Sequence, residues 1–213
     1  MNSSFQSLRK EYLNNRLNEQ DIDPDPMLQF VCWMKEAVDY PVSEPNAMVL
    51  STATRSGWCS SRVVLLKGTE NGYFTFFTNY ESRKGQELQS NPHASLLFFW
   101  KEMERQVRIE GSITKTTKAV SREYFNSRPP ESRVSAIISP QSHIIPDRTF
   151  LEKRREKYLG QQEGKDIACP SYWGGFKLKP VTIEFWQGRE NRLHDRIRYR
   201  KVKGLWIHKR LAP

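Results

Sequence analysis

The stretch AMVLSTATRSGWCSSRVVLLKGTENGYFTFFTN, residues 47–79, decides the fold class. It holds three short runs rich in Val, Leu, Phe and Thr: Ala47–Ala53, Arg62–Leu66 and Tyr73–Thr78. Turn signals separate them, Arg55-Ser56-Gly57 and Glu70-Asn71-Gly72. The same pattern continues in Ala94–Trp100 and Arg105–Ile113, after a turn at Asn91-Pro92. One short helix, Ser82–Gln89, interrupts the series. Strands at this spacing predict an antiparallel sheet or barrel.

Upstream of this stretch, residues 1–25 are polar and end in Asp-Pro-Asp-Pro (23–26). They read as a mobile N-terminal arm with a short helical stretch around Leu8 to Leu17. Asp25-Pro26 then opens a helix, with Asp as N-cap and Pro at the first helical position. Met27, Leu28, Phe30, Val31, Met34, Ala37 and Val38 recur at helical spacing until Pro41 stops it. Cys32 lies within that pattern and reads as a core residue. Downstream, residues 117–160 are helical in pattern, in three pieces: Lys118–Ser127, Glu131–Ile138 and Asp147–Gln161. Strand character returns in Tyr172–Leu178, Val181–Gln187, His194–Arg200 and Leu205–Lys209. The order is helix, five strands, helical segment, four strands. That predicts an α+β domain over residues 26–213, built on a closed barrel.

Composition agrees. The chain has 213 residues, 37% hydrophobic and 27% charged, which is globular rather than disordered. The three cysteines, Cys32, Cys59 and Cys169, form no CxxC pair, so no structural disulfide, no metal site and a reducing compartment are expected. No apolar run approaches the roughly 20 residues of a membrane span. Met1 to Tyr12 lacks the apolar core of a signal peptide, so the expected location is the cytoplasm, with no membrane partner. The net charge of +10 implies anionic partners: nucleic acid, anionic membrane or phosphorylated small molecules. The basic residues are scattered, and the densest cluster, Arg192 to Lys203, alternates with apolar residues as a strand would. A nucleic-acid binder tends to concentrate them in a tail or stripe.

Neither GxxxxGK[ST] nor GxGxxG occurs, nor GxSxG nor HExxH, which removes the commonest kinase, dinucleotide and hydrolase readings. What remains is a set of Arg and Lys at strand ends and helix starts, interleaved with Ser, Gln and Tyr. That inventory suits phosphate monoesters, because cationic side chains make charge-assisted bonds and hydroxyls fill the remaining lone pairs. Tyr124 and Arg128 are four apart on one predicted helix and share a face. Ser132, past Pro129-Pro130, enters the first turn of the next, where free N–H groups attract anions. The bland alternative makes Tyr124 core packing and Arg128 a helix-terminal cation.

Several segments carry a resemblance: Arg62-Val-Val-Leu-Leu-Lys67, Phe77-Thr78-Asn79 with Ser82-Arg83-Lys84, Glu104-Arg105-Gln106-Val107, and Tyr124-Phe125-Asn126-Ser127-Arg128-Pro129. Gln141-Ser142, Ser171-Tyr-Trp-Gly-Gly175, Glu184-Phe-Trp-Gln-Gly188, Asn191-Arg-Leu-His-Asp-Arg196 and Arg210-Leu-Ala-Pro213 follow. In order and spacing they resemble the pyridoxamine/pyridoxine 5'-phosphate oxidase family, from about residue 8 to the last. The resemblance implies an FMN-binding split β-barrel with flanking helices, assembled as a homodimer with FMN at the subunit interface. It implies oxidation of pyridoxamine 5'-phosphate and pyridoxine 5'-phosphate to pyridoxal 5'-phosphate, with O2 as acceptor and H2O2 as product. It assigns FMN contacts to Arg62, Val63, Val64, Leu65, Leu66, Lys67, Phe77, Thr78, Arg83, Lys84, Gln106, Gln141, Ser142, Trp186 and Arg196. The substrate phosphate falls to Lys67, Tyr124, Arg128 and Ser132.

By the same resemblance Arg192 and His194 are the catalytic pair over the vitamer ring, with Leu193 between them in the substrate site. Their two-residue spacing on a strand-like segment would turn both side chains to one side. Arg9 and Tyr12 match a segment that closes over bound substrate. His93, His143 and His208 match nothing functional. Arg189 and Arg198 depart from the pattern by adding positive charge near the implied site. Two other readings stay open: a split-barrel flavoprotein with another task, such as a flavin reductase or carrier, and a basic barrel that binds nucleic acid.

Overall fold

The computed structural model describes residues 11–12, 15–162 and 166–213. Its helices are α1 (Pro26–Asp39), α2 (Arg83–Ser90), α3 (Lys118–Ser127), α4 (Pro130–Ile138) and α5 (Thr149–Gln162). Its strands are β1 (Ala47–Ala53), β2 (Cys59–Leu65), β3 (Phe74–Asn79), β4 (His93–Trp100), β5 (Arg105–Lys115), β6 (Trp173–Gln187), β7 (Asp195–Val202) and β8 (Leu205–Arg210). The eight strands hydrogen-bond in the order β2-β1-β4-β5-β6-β7-β8, with β3 also on β6. The α+β expectation holds.

The strand count differs from the sequence reading by one. Tyr172–Leu178 and Val181–Gln187 are a single strand, β6. Its first half pairs with β3, from Phe74↔Leu178 to Asn79↔Trp173, and its second half with β7, from Thr182↔Arg200 to Gln187↔Asp195. Pro180 sits between the two registers. Proline has no N–H to give a ladder, so it interrupts a strand pattern in sequence yet is tolerated where no ladder partner needs that donor. β7 then turns into β8 through Lys203 and Gly204, both at positive φ (48° and 86°), the conformation a two-residue hairpin needs.

The chain divides into two compact units, with β1, β4, β5 and β6 passing through both. One takes Met1–Val49, Ser95–Glu110 and Pro180–Pro213. There Asp25 caps α1 by accepting from the Met27 N–H at 2.8 Å. The buried face of α1 is Pro26, Gln29, Phe30, Trp33 and Ala37. Phe30 packs on Phe98 (ring centroids 5.1 Å) and Trp33 stands edge-on to Phe185 (5.1 Å). Gln29 is tolerated inside because its Oε1 accepts the Asp23 N–H at 2.8 Å. Leu28, Val31 and Val38 are exposed, and so is Cys32, against the core reading of that thiol. The apolar residues of α1 cover two faces, and only one is buried. The expected helical stretch Leu8–Leu17 falls partly outside the described residues. Its described positions, Glu11, Tyr12 and Asn15–Leu17, are not helical.

The other unit takes Leu50–Ala94 and Gly111–Lys179. It contains α2, α3, α4 and α5. Ser82 caps α2 through the Gly85 N–H at 3.3 Å. A Cβ on Gly85 would collide with the Tyr80 carbonyl, so glycine lets this helix lie against the end of β3.

Candidate functional site

A cavity of about 700 Å³ opens in the second unit. β2 and the residues after it supply Arg62, Val63, Val64, Leu65 and Lys67; β3 supplies Phe77 and Thr78; α2 supplies Lys84. Tyr124, Arg128 and Gln141 complete the residues foreseen from sequence. Asn79, Ser135, Ala136, Ser139 and Trp173 line it as well and were not foreseen.

Four expected residues of this same unit do not line the cavity. Leu66, between Leu65 and Lys67, is buried and is not among the lining residues. Arg83 turns to Glu87, and Ser142 is exposed at φ 71°. Ser132 lies in the first turn of α4, but the lining begins one turn later, at Ser135. Arg128 is the C-cap of α3, in extended backbone, rather than a residue on the helical face of Tyr124. Both still reach the cavity.

The lining carries four cations, Arg62, Lys67, Lys84 and Arg128, and no carboxylate. Lys84 is buried, and among the described residues its ammonium donates only to neutral acceptors, Thr78 Oγ1 at 3.3 Å and Gln141 Oε1 at 3.0 Å. Burial lowers its pKa, and nearby Arg62 lowers it further. Arg128 is pushed the same way by burial, and its Nη1 is a buried donor with no hydrogen-bond partner among the described residues. Such a donor is costly unless a ligand satisfies it. The Arg128 guanidinium lies 4.9 Å from the Trp173 ring centroid. Phe77, Tyr124 and Trp173 form a stack, with Phe77 and Tyr124 centroids 3.9 Å apart. A cationic pocket with an aromatic wall and an unsatisfied guanidinium suits a planar, phosphorylated ligand.

Sequence reasoning missed Glu87, which organises one side of this pocket. Its carboxylate is buried on α2 and accepts from Ser60 Oγ at 2.6 Å, Thr52 Oγ1 and Arg83 Nε at 2.9 Å. Arg62 Nη2 is 3.5 Å away, and Arg62 also donates to Thr52 Oγ1 at 2.6 Å and to Ser60 Oγ. Burial pushes the Glu87 carboxyl up, but hydrogen bonds from Ser60, Thr52 and Arg83 outweigh it and hold it at about 2. The available signal was the Arg83–Glu87 spacing of four on a helix. The contacts to Thr52 and Ser60, 35 and 27 residues away, leave no such mark.

The remaining expected residues belong to the first unit, and none lines the cavity. Tyr12, Trp186 and His194 form a cluster, with ring centroids 5.7 Å apart for Tyr12–Trp186 and Tyr12–His194 and 4.7 Å for Trp186–His194. His194 Nδ1 accepts the Arg189 N–H at 3.1 Å, which leaves the ring proton on Nε2. Burial lowers the His194 pKa, as does Arg192, so the imidazole is neutral near pH 7. The strand-like expectation for Arg192 and His194 fails. Arg192 ends a 3₁₀ turn, Glu190–Arg192, at φ 60°, and β7 begins only at Asp195. Arg192 and Leu193 are exposed. Gln106 is half-buried on β5. Arg196 donates to Glu184 at 2.9 Å and to the Ala212 carbonyl at 2.8 Å. Arg9 lies outside the described residues.

Comparison with known proteins shows the family. Residues 34–162 match the family model described as pyridoxamine 5'-phosphate oxidase. Residues 173–213 match the pyridoxine 5'-phosphate oxidase C-terminal dimerisation region. The chain is 50% identical over 214 residues to a pyridoxine/pyridoxamine 5'-phosphate oxidase of Leptospira interrogans, covering 100% of both. It is 51% identical to one from Janthinobacterium sp. (strain Marseille), covering 99% of this chain and 100% of the other. Among solved structures, PhzG from Burkholderia lata 383, in complex with tetrahydrophenazine-1-carboxylic acid, superposes with a TM-score of 0.88 at 29% identity, covering 94% of this chain and 99% of that one. A pyridoxamine 5'-phosphate oxidase-related, FMN-binding protein from Nostoc punctiforme shares the fold with a TM-score of 0.70 at 16% identity, covering 89% and 98%.

Proposed function

The chain belongs to the pyridoxamine 5'-phosphate oxidase family, and from that premise we propose that it is an FMN-dependent oxidase of phosphorylated B6 vitamers. It converts pyridoxamine 5'-phosphate and pyridoxine 5'-phosphate to pyridoxal 5'-phosphate, with O2 as acceptor and H2O2 as product. It acts as a homodimer with FMN at the subunit interface, in keeping with its matched dimerisation region. The observation that carries the reading is the carboxylate-free cavity, with a buried Lys84 and an orphaned Arg128 Nη1.

FMN would be held by Arg62 and Lys84 at its phosphate, by Val63, Val64 and Leu65 along β2, and by Thr78 and Gln141. Gln106, Trp186 and Arg196 complete its shell. Bound there, FMN would supply the two-electron redox chemistry of the oxidation. The protein's own contribution is placement. Lys67, Tyr124 and Arg128 bind the substrate phosphate, and Ser132 supports them from α4. Arg192 and His194 face the vitamer ring. A neutral His194 with its proton on Nε2 presents a hydrogen-bond donor without adding charge beside the substrate amine. Tyr12 packs edge-on against that imidazole. We place the enzyme in the cytoplasm, where its free thiols persist; no helix among the described residues is long and apolar enough to cross a membrane.

The test is H2O2 release when pyridoxamine 5'-phosphate is added to FMN-loaded protein. A yellow protein that releases none and leaves its flavin oxidised anaerobically would instead be a flavin carrier or a reductase with another substrate.

A further inference from the structure

We propose that Arg210, the last residue of β8, is a positioning residue for the substrate site: it clamps the segment Leu17–Glu19 and so holds Tyr12 against His194. The inference rests on the oxidase reading, which sets His194 at the vitamer ring and assigns Arg210 no role. Every group in it belongs to the unit that carries β7 and β8.

The clamp has three points. The Arg210 guanidinium forks onto Glu19, with Nε on Oε1 and Nη2 on Oε2, both at 2.7 Å. Nη2 also donates to the Leu17 carbonyl at 2.8 Å, and Nη1 donates to Asp195 Oδ1 at 2.7 Å. The other Asp195 oxygen accepts the Leu17 N–H at 3.1 Å. Leu17 therefore has both backbone groups bonded, to partners 178 and 193 residues away, and its side chain is buried. An exposed pair of two charges is worth little, but a fork that also fastens backbone and a second carboxylate fixes geometry. Hydrogen bonding from Arg210 holds the Glu19 carboxyl at about 2, so the pair is charged across the neutral range. The sheet does not depend on this side chain. β8 is held on β7 by its own ladder, from Ile197↔Arg210 to Val202↔Leu205.

Both ends of the clamp lead to the imidazole. Asp195 follows His194 in the chain. Tyr12 lies five positions before Leu17 and stands edge-on to Trp186 and His194. It rests on Gly188, where an added Cβ would come within 2.7 Å of the Tyr12 ring. Arg189 makes a weaker second tie: its Nη1 donates to the Asn15 carbonyl at 3.4 Å, and its own N–H to His194 Nδ1 at 3.1 Å. Fastening the chain before substrate arrives lowers the ordering cost of binding, which is the gain a positioning residue supplies.

The experiment uses the FMN-loaded protein and reads the segment first. Arg16 is exposed, so trypsin can reach the Arg16–Leu17 bond, but cleavage requires Leu17 to come free. Cleavage there, followed by mass spectrometry, should be about 5-fold faster in Arg210→Met, which keeps the aliphatic stem and loses the donors; this is the top of the exposed-pair range, about 1 kcal/mol. Glu19→Ala, at an exposed position, should speed it as well and serves if Arg210→Met does not fold. KM for pyridoxamine 5'-phosphate should rise by a similar factor in both, with FMN affinity unchanged. A double-mutant cycle then separates positioning from architecture. In a Tyr12→Ala background, Arg210→Met should no longer alter KM, because its effect passes through Tyr12. Three results overturn the proposal: cleavage at the wild-type rate in both clamp variants, faster cleavage with unchanged KM, or the same rise in KM with and without Tyr12. A wild-type flavin that stays oxidised with substrate overturns the oxidase reading instead, while the cleavage rates still decide the clamp.

Discussion

Glu87 and Glu184 are both buried carboxylates on which two arginines converge, yet they are built differently. Glu87, at the cavity, also accepts two hydroxyls, Thr52 and Ser60, which in turn accept from Arg62. Glu184, on β6, holds Arg108 and Arg196 with one oxygen each. The first arrangement is a closed network in which each buried polar group has a partner. The second leaves a neighbouring guanidinium, Arg198, without one. Full satisfaction rigidifies a polar cluster, and partial satisfaction leaves a buried donor at a cost. The network at Glu87 fixes Arg62 at the wall of the cavity, whereas Glu184 fixes Arg108 and Arg196 and leaves Arg198 without a carboxylate among the described residues.

Removing the carboxylates should expose that difference most strongly. Glu87→Ala should destabilise the protein by about 3 kcal/mol, the low end for breaking a buried ion pair, because exposed Arg83 can rehydrate. The midpoint and slope of urea unfolding measure it. Equal losses for Glu87→Ala and Glu184→Ala would show that the hydroxyl backing has no energetic weight.

The two regions should also divide the kinetics. Arg192→Ala or His194→Ala should slow anaerobic flavin reduction on the order of 100-fold, the cost of a misplacement of about 1 Å, with FMN affinity little changed. Arg192→Lys should not restore it, since a point charge does not reproduce a planar guanidinium. Loss of FMN in these variants would move both residues to the cofactor shell. Arg128→Ala should instead raise KM for the phosphorylated substrate by roughly 10- to 150-fold, from a lost charge-assisted bond. A KM unchanged in folded protein would take Arg128 out of the phosphate site.

Smaller effects sharpen the contrast. Glu184→Ala should cost only about 1–2 kcal/mol, because Arg108 and Arg196 are part-exposed and water can replace the carboxylate. Acid provides an independent check on Glu87. Its folded-state pKa is depressed from 4.5 to about 2, so its stabilisation is complete above the unfolded value and is lost as pH falls between them. The stability difference between wild type and Glu87→Gln should therefore shrink from about pH 5 toward pH 2. A difference flat across that window would show that the Glu87 charge does not contribute.

Much of the fold could be read in the chain because its signals are local. Asp25-Pro26 caps α1 where the sequence placed it, and Ala47–Ala53 and Lys118–Ser127 have the expected limits. Errors arose where a local rule met a long-range demand. Pro180 reads as a break, but the strand runs through it because the ladder changes partner there. Cys32 reads as core, but α1 buries only one of its two apolar faces. Arg192 and His194 read as extended, but positive φ at Asn191 and Arg192 makes a turn. Of the site, the cavity residues from Arg62 to Gln141 were legible through family segments and Arg/Lys placement. Glu87, Ser135, Ser139 and Trp173 were not marked as site residues, because their roles depend on contacts far apart in sequence.

By itself, the sequence determined the order of elements, the α+β class and the inventory of cations, since periodicity, caps and turn residues act over a few positions. Only the tertiary structure decided which cations are neutralised. Arg62 finds Glu87 across 25 residues and Arg108 finds Glu184 across 76, while Lys84, Arg128 and Arg198 find no carboxylate among the described residues. Charge is written in the chain, but its compensation is a matter of distance and burial, and folding sets both.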